Sequence, residues 1–158
     1  MKKANVTILG ATGAVGREML KVLEERNFPI GELRCLASAR SVGKRLPFAG
    51  GGLSVDEATD AAFAGADIVL GAAENDIARR FAPAIKAAGA VFIDNSSAFR
   101  LEPEVPLVVP EINPQDALHH GGIIANPNCS TIITVVAVAG LCRLSPILSM
   151  NAATYQAV

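Results

Sequence analysis

Alternating strand and helix signals, a glycine turn between the first strand and the first helix, and an apolar composition poor in aromatics predict an α/β protein. The expected core is a doubly wound parallel sheet. Of 158 residues, 51% are hydrophobic and 4% aromatic, the mixture expected of parallel strands covered on both faces. A chain of this length can bury roughly 70% of its unfolded surface as one domain.

Residues 5–9, Asn-Val-Thr-Ile-Leu, form a short β-type run. Gly10-Ala11-Thr12-Gly13-Ala14-Val15-Gly16 follows at once, and then Met19, Leu20, Val22 and Leu23 recur at helical spacing. In this strand–turn–helix context Gly10 allows the tight turn, Gly13 lets backbone approach a pyrophosphate, and Gly16 permits close packing of helix on strand. The phosphates would sit at the helix N-terminus. The spacing is GxxGxxG rather than GxGxxG, but its context makes this a Rossmann-type dinucleotide site.

Residues 33–37 read as the second strand. An NAD-specific site would offer an acid at its end, to the ribose 2′-hydroxyl. The chain instead has Ser38-Ala39-Arg40-Ser41, two hydroxyls flanking a guanidinium that suits a 2′-phosphate through paired charge-assisted bonds. The expected cofactor is therefore NADP. The competing reading makes Arg40 a solvated loop charge beside Lys44 and Arg45.

Further along, residues 53–55 suggest a small strand, 61–65 a short helix and 67–70 another strand. Asn75 or Asp76 is expected to cap a helix over 77–88, with a kink or break at Pro83. Residues 91–94 form a buried strand opening into Asn95-Ser96-Ser97-Ala98-Phe99-Arg100, polar residues at the sheet end where open α/β folds place ligands. Residues 107–109 are extended within a Pro-rich segment, and 122–125 form a last strand.

Asn126-Pro127-Asn128-Cys129-Ser130-Thr131 then leads to an apolar helix over 132–142. Asn128, Ser130 and Thr131 are all N-cap types, so Cys129 lies close to the first turn, where unpaired N–H groups favour an anion. The thiol is placed for nucleophilic chemistry; the competing reading is a half-buried structural cysteine. Residues 147–158 read as a strand of a second domain. The expected organisation is a nucleotide-binding domain over 1–128 and the first elements of a truncated α+β catalytic and dimerisation domain over 129–158.

Net charge is −1 with no basic stripe, so nothing points to nucleic acid or an anionic membrane surface. The apolar stretch 132–144 falls short of the ~20 residues a membrane span requires. Three cysteines without a CxxC pair indicate neither a disulfide framework nor a zinc site, and a reducing cytoplasm fits best. His119 and His120 are adjacent near a helix end and read as solvated imidazoles.

GATGAVG, SARS, DNSSAFR with VPLVVPEIN, NPNCST and TYQAV, taken together, resemble the N-terminal part of bacterial aspartate-semialdehyde dehydrogenase, over essentially residues 6–158. The resemblance implies a cytoplasmic homodimer of aspartate-family amino-acid biosynthesis. It would catalyse NADPH-dependent reductive dephosphorylation of L-aspartyl 4-phosphate to the semialdehyde, releasing phosphate. It further implies Cys129 as nucleophile, Arg100 as phosphate ligand, Gln156 as contact to the acyl substrate, and Thr12, Gly13, Ala14 and Val15 with Arg40 and Ser41 on NADP. Without the family, Arg100 is equally a surface arginine paired with Glu102 or Glu104, and Gln156 an outward strand residue.

Two departures stand out. Gly71-Ala72-Ala73-Glu74-Asn75-Asp76 replaces the Ser-Ala-Gly-Gly-type loop of many relatives, and Ala152-Ala153 lacks the hydroxyl often found before TYQ. A helix terminus stabilises a nearby anion by only roughly 0.3–1 kcal/mol, so the chemistry also needs a base, which the family supplies as a histidine beyond residue 158. The expectation is a chain inactive by itself. Alternatives are a related reductase, such as N-acetylglutamyl-phosphate reductase or a glyceraldehyde-phosphate dehydrogenase relative, and a non-catalytic NADP-binding or dimer-forming module.

Overall fold

The structure is a computed structural model that describes residues 2–155. Its centre is a seven-stranded sheet of order β3-β4-β2-β1-β5-β6-β7. The strands are β1 Ala4–Leu9, β2 Ile30–Ala37, β3 Arg45–Phe48, β4 Gly51–Glu57, β5 Ile68–Gly71, β6 Val91–Asp94 and β7 Ile123–Ala125. All pairings are parallel except β3 with β4. The helices are α1 Ala14–Glu25, α2 Asn75–Ala87 and α3 Cys129–Cys142. This is the expected doubly wound Rossmann-type architecture.

Two apolar clusters cover the sheet. Leu9, Leu36, Val69 and Phe92 belong to one, with Phe81 and Ile85 of α2 and with Phe63 and Phe99. Ile8, Cys35 and Val55 belong to the other, with Leu20 of α1 and Leu46 of β3. Because Ile8 and Leu9, or Cys35 and Leu36, are consecutive in one strand, the two clusters lie on opposite faces.

Several elements differ from expectation. Strand β2 begins three residues before the predicted 33–37. Where only 53–55 was expected to be strand, β3 and β4 form a hairpin whose turn carries Ala49 at φ 48° and Gly50 at φ 74°. The run Gly50-Gly51-Gly52 was the available turn signal. Residues 60–63 form one 3-10 turn, Asp60–Phe63, instead of a helix over 61–65.

Helix α2 starts at Asn75 behind Glu74, with no side-chain cap. Asn75 and Asp76 are thus not its caps; Asn75 instead binds Ser97, its amide donating to Oγ at 2.9 Å and its Oδ1 accepting from the amide at 3.0 Å. The helix continues through Pro83 to Ala87 without a break. Phe81, Ala82 and Ile85, all buried, hold both sides of the proline on one core. Residues 107–109 are extended as expected, with Leu107 bridged to Ala125. The predicted strand over 147–158 is absent among the described residues: 146–155 are irregular and exposed.

Asp94 ends β6 with 0% exposure. Its Oδ2 accepts from Ser96 Oγ at 2.5 Å, whereas Oδ1 has no hydrogen-bond partner among the described residues. A Cβ at Gly71 would stand 2.8 Å from that oxygen and 2.7 Å from the Phe92 ring, so only glycine fits there. Burial pushes the Asp94 carboxyl above the usual carboxylate range, opposed by hydrogen bonds from Ser96 and by the charges of Arg100 and Arg79. With the folded pKa above the unfolded one, the stability contribution is complete below the unfolded pKa and is lost as pH rises through the folded value. Urea unfolding of wild type and Asp94→Asn from about pH 4 to neutrality should therefore show wild type losing ground against the variant as pH rises. A stability difference independent of pH sinks this account.

Candidate functional site

The carboxyl ends of β1, β2 and β4 open into a cleft of about 460 Å³. Its floor is set by the glycine turn, where the amides of Gly10 and Ala11 both donate to Leu36 O, at 2.8 and 3.1 Å. Gly10 has φ +87°, and a Cβ on it would lie 2.7 Å from Ala72 O. At Gly16 a Cβ would meet Gly10 O at 2.5 Å, which is the close helix packing the sequence implies. Gly13 is the N-cap of α1 and offers no side chain to it. The amides of the first turn are therefore left for an anionic group, and a pyrophosphate fits them.

Of the residues expected to hold the cofactor, Gly10, Thr12, Gly13 and Ser38 line this one cleft. Ala14 is exposed on the first turn of α1 and Gly16 is buried beneath it. Val15 faces a neighbouring groove of about 300 Å³ that also contains Met19, Leu70 and Asn95. Arg40 and Ser41 fall in a 3-10 turn, Ala39–Ser41. Arg40 is exposed and is not part of the cleft wall. Ser41 is buried, and its Oγ accepts from Lys44 Nζ at 3.4 Å.

Two carboxylates that sequence reasoning missed, Glu57 and Glu74, line the cleft as well. Glu57 is the last residue of β4. An acid at a strand's carboxyl end was the available signal, lost because the strand was expected to stop at residue 55.

A second constellation sits where β6 and β7 end. Asn126 donates its backbone amide to Asp94 O at 2.8 Å and its side-chain amide to Asn95 Oδ1 at 2.5 Å. The half-buried Arg100 donates Nε to Asn126 O at 2.9 Å and Nη2 to Asn95 O at 3.0 Å. Glu102 pairs with Arg79 at 3.2 Å, and among the described residues no carboxylate pairs with Arg100. Its charge is thus held in place by neutral carbonyls.

Three residues beyond Asn126, Cys129 is the first residue of α3. Asn128 is the N-cap, its side chain accepting from Ser130 N at 2.9 Å. The Cys129 thiol is exposed and lines a cavity of about 660 Å³ between the first turns of α3 and residues 153–155, with Thr134 and Tyr155. Gln156 lies outside the described residues. Cys35 is buried, and burial, with Asp56 nearby, pushes its thiol up to about 11. His120 Nδ1 accepts from Gly122 N at 3.1 Å, and neither His119 nor His120 lines the cavity of Cys129. Among the described residues no cluster could hold a metal ion, and no helix is long and apolar enough to cross a membrane.

The family model described as semialdehyde dehydrogenase, NAD binding domain, matches residues 5–120. Aspartate-semialdehyde dehydrogenase of a Synechocystis strain is 56% identical over 151 residues, covering 96% of this chain and 45% of the relative. The Bacillus subtilis enzyme of that name is 46% identical over 154 residues, covering 98% and 44%. The solved Vibrio cholerae aspartate semialdehyde dehydrogenase II complexed with ASA superposes with a TM-score of 0.86 at 44% identity, covering 90% of this chain and 47% of that one. The chain thus spans about 45% of the length of the curated relatives it matches. A glycine turn lashed to β2, an exposed thiol at the start of α3 and these matches lead to one conclusion: the chain belongs to the semialdehyde dehydrogenase family, matching its NAD-binding domain.

Proposed function

We propose that this chain supplies the nucleotide site and the nucleophile for NADPH-dependent reductive dephosphorylation of L-aspartyl 4-phosphate to L-aspartate 4-semialdehyde. The observation that carries the reading is Cys129 at the first turn of α3, exposed in a cavity and three residues beyond Asn126, whose carbonyl accepts from Arg100.

In the proposed sequence the Cys129 thiolate attacks the acyl carbon, the bond to the phosphate oxygen breaks, and phosphate leaves. Arg100, anchored through Nε and one Nη2 hydrogen to carbonyls, retains N–H donors for the departing phosphate. The resulting thioester is an acceptor for hydride, which NADPH supplies when bound. Loss of the thiolate from the reduced carbon then gives the aldehyde. Gly10, Thr12, Gly13 and Ser38 would hold the dinucleotide, with Ala14 and Val15 presenting first-turn amides, Gly16 keeping the helix close, and Arg40 with Ser41 toward the 2′-phosphate. Gln156 is proposed as the contact to the acyl substrate.

The homodimer implied by the resemblance is proposed too, supported by α3, which contributes no buried residue and exposes Ile133 and Leu141. The cytoplasmic location is likewise a proposal. Absence of turnover by the 158-residue chain is part of the same proposal, supported by neither His119 nor His120 lining the cavity of Cys129.

Titration with NADPH and NADH should give tighter binding of NADPH, by about tenfold for a charge-assisted phosphate contact, and Arg40→Ala should erase most of that difference; an unchanged preference removes Arg40 from the site. Iodoacetamide at neutral pH should label Cys129 several-fold faster than Cys142, which closes the same helix at its opposite pole, while Cys35 resists. Equal rates at the two exposed thiols would return Cys129 to a structural role. An assay of the chain with aspartate semialdehyde, phosphate and NADP should show no NADPH formation, and measurable turnover would overturn the expected inactivity.

A further inference from the structure

Three strand ends follow one another along the rim of the nucleotide cleft. The glycine turn leaves β1, Ser38 follows β2, and Glu57 closes β4, paired in register with Ala37. Neighbouring strands lie about 4.8 Å apart. A nucleotide whose phosphates rest on the amides behind Gly13 would extend along this rim, past Ser38 and toward Glu57. The same cleft has an apolar lining that includes Leu9, Ala58, Ile77 and Phe81, a surface suited to a flat ring. Glu57 brings a carboxylate to that lining from the end of β4.

Its side chain makes no hydrogen bond or ion pair among the described residues. Several other glutamates are engaged: Glu24 accepts from Ala49 N, Glu32 binds Arg34 and Glu102 binds Arg79. Glu74 lines the cleft from beyond β5, on the opposite side of β1 from β2 and β4, away from the direction in which Ser38 draws the ribose.

We propose that the Glu57 carboxylate accepts a hydrogen bond from the 6-amino group of adenine, so that the cleft selects adenine over a base carrying oxygen at that position. An ionised carboxylate only accepts; the amino group donates to it, whereas the carbonyl of hypoxanthine faces it with a second acceptor. This assignment rests on the nucleotide reading of the cleft given above and names the part of the ligand that Glu57 reads.

Calorimetric titration of wild type, Glu57→Gln and Glu57→Ala with NADPH, its hypoxanthine analogue and NADH tests it. Wild type should prefer the adenine form by roughly fivefold to tenfold, and that ratio should fall to within about twofold in Glu57→Ala and shrink in the near-isosteric Glu57→Gln. A ratio unchanged in both variants, or absent from wild type, overturns the proposal. So does a gain in NADPH affinity over NADH at constant base preference, which would make Glu57 a repeller of the 2′-phosphate. Failure of wild type to bind any of the three ligands overturns the nucleotide reading itself along with it.

Discussion

Two amides converging on the carbonyl of Leu36 set the geometry on which the nucleotide end of the molecule depends. Gly10 and Ala11 donate together, so the turn after β1 is pinned to β2 instead of rising away from the sheet. Each such bond contributes only about 0.5–1.5 kcal/mol net, but their value here is directional. The turn is wedged so tightly that a methyl group at Gly10 would meet the backbone of Ala72, and one at Gly16 the backbone of Gly10. No side chain caps the first turn of α1, and its N-cap, Gly13, lines the cleft.

The other end of the sheet uses a different device with a similar result. Arg100 ties the chain after β6 to the chain after β7 by donating to two backbone carbonyls, and the Asn95–Asn126 side-chain bond runs alongside. Neutral acceptors fix a guanidinium without cancelling it. Arg79 offers the contrast within the same neighbourhood: it binds Ala98 O and the Glu102 carboxylate and stacks on Phe99, so its charge is compensated and its role is to hold the segment in place. Beneath both lies the buried Asp94, which organises the start of this segment through Ser96, itself accepting from Ala98 N.

What could be read from sequence was whatever local chemistry decides. The first strand, the glycine turn and α1 were legible because glycine positions and helical spacing carry their own reasons, and Cys129 was legible because Asn128 is a cap by type. Legibility failed where tertiary contacts overrule local preference. Asn75 and Asp76 look like caps, but Ser97 engages the Asn75 side chain. Pro83 looks like a break, but the core under Phe81 and Ile85 carries α2 across it. The β3–β4 hairpin was missed although Gly50-Gly51-Gly52 marks its turn, and with it went the position of Glu57. For Arg100 the partners could not be deduced, because they are carbonyls of chain segments 5 and 26 residues away.

The two borders of the sheet close it to further growth. On one side the outermost strand is only four residues long and includes Pro47, which has no N–H to offer. On the other, the N–H and C=O of Ala125 are already taken by Pro106 O and Val108 N, from a strap of chain laid along the short last strand. An unpaired strand edge is the usual template for adding a foreign β-segment. Here neither margin presents a continuous ladder, so self-association through strand exchange is disfavoured, and contact with other molecules is left to side chains and helices.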